Sequence, residues 1–211
     1  MVEHFKHILV LAPHTDDGEL GCGGTIARMI ECGCAVTYVA FSTAEQSLPP
    51  NFPAGTLKQE VLEATRRLGI GPDNVIVFDH EVRKLNYVRQ EILEDLVRIK
   101  KERAVELVLM PSLNDIHQDH STVAIEGLRA FKDHTILGYE LIWNNLTFNT
   151  SCFVRLDERH VRSKVEALTA YQSQAGKAYI SEEFITSLAR ARGVQIGAKY
   201  AECFEVIRWI L

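Results

Sequence analysis

The sequence contains no run of about 18 consecutive apolar residues, so no membrane span is expected. It also lacks a long basic run. Lys and Arg number 23 against 28 Asp and Glu, a formal charge of -5, which argues against nucleic acid as a partner. Cysteine is sparse and odd in number. Cys22, Cys32, Cys34, Cys152 and Cys203 build no even disulfide framework, and Cys32 and Cys34 have no second pair with which to form a zinc knuckle. They are expected to be small buried hydrophobes in a reducing compartment. No stretch rich in Pro, Gly or Ser divides the chain and no internal repeat is visible, so residues 1–211 read as a single domain. The polar start, with Glu3, His4, Lys6 and His7, leads into an apolar run too short for a signal peptide. A first strand and a cytoplasmic location are the expectation.

What is present is an alternation. Residues 8–12, 35–41, 75–78 and 106–110 are short β-rich runs, and residues 23–31, 57–68 and 87–101 between them have helical composition and spacing. Further on, residues 120–131, 159–171 and 182–191 read as helices and residues 136–141, 152–156 and 202–210 as strands. This order predicts an α/β fold, a mostly parallel Rossmann-like sheet covered by helices on both faces. Ligands in such sheets bind beyond the carboxyl ends of strands, where the winding reverses. Two polar clusters fall there. One follows the first strand, from Pro13 through His14, Thr15, Asp16, Asp17 and Gly18 to Glu19; the other follows the fourth, from Asn114 through Asp115, His117 and Asp119 to His120. If those strands are neighbours, the clusters meet.

A catalytic zinc commonly takes three protein N or O ligands and leaves a position for water. His14, Asp17 and His120 supply such a set, and Asp16, pointing elsewhere than its neighbour, is placed to serve as general base. His117 stands three residues before His120, on one side of a beginning helix. Asp119 is expected to hydrogen-bond a nitrogen of His117 and favour its imidazolium, which would polarise a carbonyl or protonate a leaving amine. The structural alternative is that Asp16, Asp17 and Glu19 serve only as an N-cap and first-turn acids, and that the histidines lie on the surface. Glycines 18, 21, 23 and 24 invite a dinucleotide-binding reading, but Ile26 occupies the place of the third glycine and the two aspartates would repel phosphate.

The segment from Pro13 through Glu19, Leu20, Gly21, Cys22, Gly23 and Gly24 to Thr25 resembles the first motif of the PIG-L/LmbE-like zinc-dependent N-deacetylases, and His117, Gln118, Asp119 and His120 resemble the second. Residues 60–69 and the pair Ser173 and Gln174 extend the resemblance over most of the chain. It implies zinc held by His14, Asp17 and His120, with Asp16 as base, His117 as the polarising or protonating group and Asp119 as its orienting partner. It also implies hydrolysis of an N-acetyl group from an amino sugar or its conjugate, with release of acetate. One departure concerns Leu57, which stands where many members carry an Arg; Arg83 is a candidate for the missing charge.

The expected reaction is attack of metal-activated water on an amide carbonyl, the final proton coming from Asp16 or His117. A deacylase or deformylase of a non-sugar amide would use the same residues, while a non-catalytic sugar-binding module would need neither Asp16 nor His117. Iron and cobalt also suit two histidines and a carboxylate. Trp143 and Asn144 are candidates for substrate contacts, with Tyr171 and Gln174 near them. The apolar segments 139–143 and 209–211 suit core or edge packing, with a sugar-stacking wall or the contact of a homo-oligomer as the alternatives.

Overall fold

The computed structural model describes residues 5–210; the expectations on Glu3, His4 and Leu211, and the outer limits of the 1–211 domain, lie outside them. The elements run β1 (His7–His14), α1 (Asp17–Glu31), β2 (Ala35–Ser42), α2 (Thr56–Arg67), β3 (Val75–Val77), α3 (Arg89–Glu102), β4 (Leu107–Pro111), α4 (Gln118–Ala130), β5 (Thr135–Tyr139), β6 (Cys152–Leu156), α5 (Glu158–Leu168), α6 (Glu182–Val194) and β7 (Tyr200–Arg208). The seven strands form one sheet in the order β3, β2, β1, β4, β5, β7, β6. The first five are parallel, and β7 enters antiparallel between β5 and β6.

β1 is the axis of this sheet. It pairs with β2 on one side and with β4 on the other, with Ile8 opposite both Val36 and Leu107. Strands buried on both faces read as continuous apolar runs, and β1 and β4 do so. Ile8, Val10 and Ala12 point into a core shared with α1, α2, α5 and α6, while Leu9 and Leu11 point into a second core under α3 and α4. The winding reverses between β1 and β4, and both polar clusters leave the sheet at that crevice, as the strand order requires.

The first helix begins earlier than residues 23–31 suggest. It starts at Asp17 and breaks at Cys22, where φ is -147° and ψ 23°. A break exposes carbonyls before it and N–H groups after it, which burial would leave unpaired. Two buried side chains meet that need. Lys164 Nζ donates to the Leu20 carbonyl at 2.7 Å, and Glu202 accepts from the Gly24 and Thr25 amides at 3.0 and 2.6 Å; the two side chains pair with each other at 2.7 Å. The glycines of this helix allow close packing, because a Cβ on Gly21 would overlap the Tyr139 ring and one on Gly18 would lie 2.5 Å from Tyr38.

All five cysteines are free: Cys22, Cys34 and Cys203 are buried, Cys152 is half-buried, and Cys32 is exposed. Among the described residues no helix is long and apolar enough to cross a membrane.

Replacing Gly21 by Ala gains helix propensity of up to about 1 kcal/mol, but the overlap with Tyr139 costs about 1–3 kcal/mol. Gly21→Ala is therefore expected to unfold at lower urea concentration than the parent protein. An unchanged midpoint would mean that Tyr139 has room to move.

Candidate metal centre

β1 ends at His14, and the turn that follows places Asp16 as the residue capping α1. Its carboxylate makes no capping hydrogen bond, and the Asp17 carboxylate accepts from the His14 amide at 2.8 Å rather than from its own helix. An N-cap role therefore does not account for these acids. On the neighbouring loop, Asp115 Oδ1 accepts from the His117 amide at 2.8 Å, and His117 caps α4 by accepting the Asp119 amide at Nδ1, 3.2 Å away. The first turn of α4 then carries His120 back toward β1.

Three atoms meet at the crevice. His14 Nδ1 lies 3.1 Å from Asp17 Oδ2 and 3.2 Å from His120 Nε2, and His120 Nε2 lies 3.2 Å from Asp17 Oδ2. Tetrahedral ligands about 2.0–2.1 Å from a zinc stand about 3.3–3.4 Å apart, so this triangle suits one small cation. His117 also belongs to the neighbourhood: His14, His117 and His120 form a group whose ligand atoms all fall within 4.8 Å, and this group could hold a metal. The set with Asp17 is tighter and includes a carboxylate, which balances the charge of a divalent ion.

The outward nitrogen of each clustered histidine is also engaged. His120 Nδ1 lies 2.7 Å from Asp115 Oδ2, and His14 Nε2 lies 3.0 Å from Asp119 Oδ2. Such carboxylate–histidine pairs fix ring orientation and raise ligand basicity. Asp119, fully buried, also accepts from the amides of Arg83 at 2.5 Å and Leu85 at 3.2 Å, fastening the loop after β3 to the site.

This corrects the expected pairing of Asp119 with His117. The Asp119 backbone, not its carboxylate, meets the imidazole, because a side chain in the first turn points away from the capping residue. His117 Nδ1 is thus an acceptor, and the remaining proton resides on Nε2. Burial and then the charges of His120 and His14 lower its pKa, so the ring is neutral rather than an imidazolium.

Burial would lower the pKa values of His14 and His120, but Asp17, with Asp119 at His14 and Asp115 at His120, outweighs it and raises them to about 9 and about 10. Asp17 is held well below the usual carboxylate range; burial opposes this, and the two imidazoles prevail. Asp16 moves the other way, to about 6, through burial and the adjacent Asp17 charge. Behind the loop, burial lifts Glu19 to about 8 against the hydrogen bonds of Tyr38 and Tyr171, whose hydroxyls also donate to the Thr15 carbonyl at 2.9 and 2.6 Å.

The cleft over these groups has a volume of about 220 Å³ and is lined by His14, Asp16, Asp17, His117 and His120 together with Trp143 and Asn144. Leu57 lines it too. Arg83 does not: it sits at a positive φ of 66° and contributes its amide to Asp119, while its side chain is exposed. Gln174 reaches the cleft because Glu60 on α2 accepts from the Ser173 amide at 2.9 Å and its hydroxyl at 2.6 Å, whereas Tyr171 stays behind the metal loop. Lys177 and Tyr179 are site residues that sequence reasoning did not single out, whereas Asp115 and Glu19 fell within the two clusters without a role of their own.

Residues 9–131 match the family described as PIG-L: GlcNAc-PI de-N-acetylase. The chain is 25% identical to a diacetylchitobiose deacetylase of Thermococcus kodakarensis, over 93% of this chain and 81% of that protein. Its fold is similar to that of the conserved protein TT1542 from Thermus thermophilus, with a TM-score of 0.82, 26% identity, and 97% and 95% of the two chains covered. It is also similar to GalB, a 4-carboxy-2-hydroxymuconate hydratase from Pseudomonas putida KT2440, with a TM-score of 0.78, 22% identity and 98% of each chain covered. The last likeness is one of fold alone, and the fold thus does not by itself select amide hydrolysis.

In the metal-free protein at pH 7, His14 and His120 are protonated, so a cation must displace their protons. Uptake is expected to release close to two protons per ion, and apparent affinity to rise with pH, by up to about 100-fold per unit below pH 9. Calorimetry in buffers of different ionisation enthalpy reads the proton count directly; pH-independent uptake would rule the two histidines out. Asp115→Asn is expected to weaken uptake by about 10- to 100-fold.

Proposed function

The chain belongs to the PIG-L, GlcNAc-PI de-N-acetylase family, and from that premise we propose that it is a zinc-dependent N-deacetylase acting on an N-acetylated amino sugar or its conjugate. The observation that carries this reading is the triangle of His14 Nδ1, Asp17 Oδ2 and His120 Nε2 with Asp16 beside it in the same cleft. His14, Asp17 and His120 would hold the metal, and zinc there would supply a Lewis acid that polarises the amide carbonyl and acidifies water.

The chain's own groups do the rest. Asp16, with a pKa of about 6, is ionised at neutral pH and takes a proton from the attacking water; once protonated, it is acidic enough to return that proton to the leaving amine. His117 keeps its Nδ1 on the Asp119 amide and offers Nε2–H as a neutral donor to the carbonyl oxygen as negative charge develops there. This assigns both proton steps to Asp16 and leaves His117 the stabilising role. Asp115 and Asp119 do not line the cleft and position the two clustered imidazoles.

Purified protein should release acetate from one or more members of a panel of N-acetylated sugars and sugar nucleotides, and a chelator should abolish the release. Failure on every substrate would reduce the reading to metal binding. Asp16→Asn should retain metal and lose turnover by about 100- to 10,000-fold. His120→Ala should lose the metal itself, and metal content at the parent level would remove His120 from the ligand set.

A further inference from the structure

The cleft also contains a group of side chains to which the proposed chemistry assigns no step. Trp143, on the loop between β5 and β6, stacks on Tyr179, on the segment between α5 and α6, with ring centroids 4.3 Å apart and planes 17° from parallel. Phe184 flanks the indole at 6.1 Å, so Trp143 is fixed in orientation while 38% of its surface remains exposed. Lys177 Nζ lies 5.5 Å from the centre of the Tyr179 ring. All three of Trp143, Tyr179 and Lys177 line the cleft that contains Asp16.

Lys177 is exposed and, among the described residues, has no carboxylate within ion-pair distance, although its charge reaches Asp16 and acts to lower that carboxyl's pKa; of the lysines it is the one that lines the cleft. The exposed face of the fixed Trp143 suits the apolar face of a ring, and the ammonium over the adjoining Tyr179 ring suits an anion. An acyl group at the His14, Asp17 and His120 end would leave the remainder of the molecule to extend along this wall.

We propose that Trp143, Tyr179 and Lys177 form a subsite for the carrier of the acylated amine, and that the carrier is a ring bearing an acidic substituent, a phosphate or a carboxylate. The proposal rests on the deacetylase reading for the orientation of the substrate, but it is testable by binding alone.

The test uses metal-loaded protein carrying Trp209→Phe, which leaves Trp143 as the single tryptophan, because the sequence holds two. Fluorescence titration compares glucosamine with glucosamine 6-phosphate, glucosamine 1-phosphate and muramic acid, which separates phosphate from carboxylate. At least one acidic sugar is expected to bind about 5- to 10-fold more tightly than glucosamine, with the gain erased in Lys177→Gln and kept in Lys177→Arg. Equal binding of all four, or no binding of any, overturns the subsite. A preference that survives Lys177→Gln also overturns it, since the acid would then be held elsewhere, as by the metal. If no N-acetyl sugar is hydrolysed while the Lys177-dependent preference persists, the deacetylase reading falls and the subsite stands.

Discussion

The whole site depends on β1 and β4 lying side by side in the same direction. Val10 is level with Leu109 in that pairing, so the loops that follow the two strands leave the sheet at the same end and face one another. Apolar burial on both faces and a parallel hydrogen-bond ladder hold the pair together along its length. A one-residue slip of either strand would turn its core residues to the opposite face. The position of His14 relative to His120, residues far apart in sequence, is thus fixed by the core rather than by the site.

Beyond the sheet, the loops are held by polar groups with little freedom. The Thr15 carbonyl takes hydrogen bonds from Tyr38 and Tyr171, and Asp119 ties β1 to the loop after β3. The helix break at Cys22 is bridged by Lys164 and Glu202, a buried pair whose value lies less in net stability than in satisfying backbone groups that only this conformation leaves open. Removing either partner would leave the other charge buried alone. The first turn of α1, which carries Asp17, is therefore specified by residues on α5 and β7.

The sequence made the architecture legible because strand and helix periods differ and the five parallel strands are short and largely apolar. The two polar clusters were legible because they sit at strand ends. What it hid was direction. Asp119 stands next to His117 in sequence, and adjacency suggested a contact, yet the capping geometry of α4 turns its carboxylate toward His14. The helix beginning at Asp17 was concealed by Gly18 and Gly21, which look like loop residues and are in fact places where Tyr38 and Tyr139 press against the helix. Lys177 and Tyr179 carried no motif, because their position depends on a segment folded over the cleft by Glu60 and Ser173.

Two adjacent carboxylates in one buried turn cannot both be charged without cost, and the geometry decides which one yields. Asp17 faces the two clustered imidazoles and is claimed by them, so it stays ionised. Asp16 receives less of that compensation: burial and the charge of Asp17 outweigh the charges of His14 and Lys177, and its pKa rises to about 6. Environments that drive neighbouring acids apart also separate their uses, one suited to a fixed charge and the other to a moving proton. The same reasoning explains why Asp16 need not be matched by a second acid. In the proposed reaction, a group that titrates near neutrality would accept a proton in one step and give it up in the next, which would leave His117 as a donor that does not change its charge.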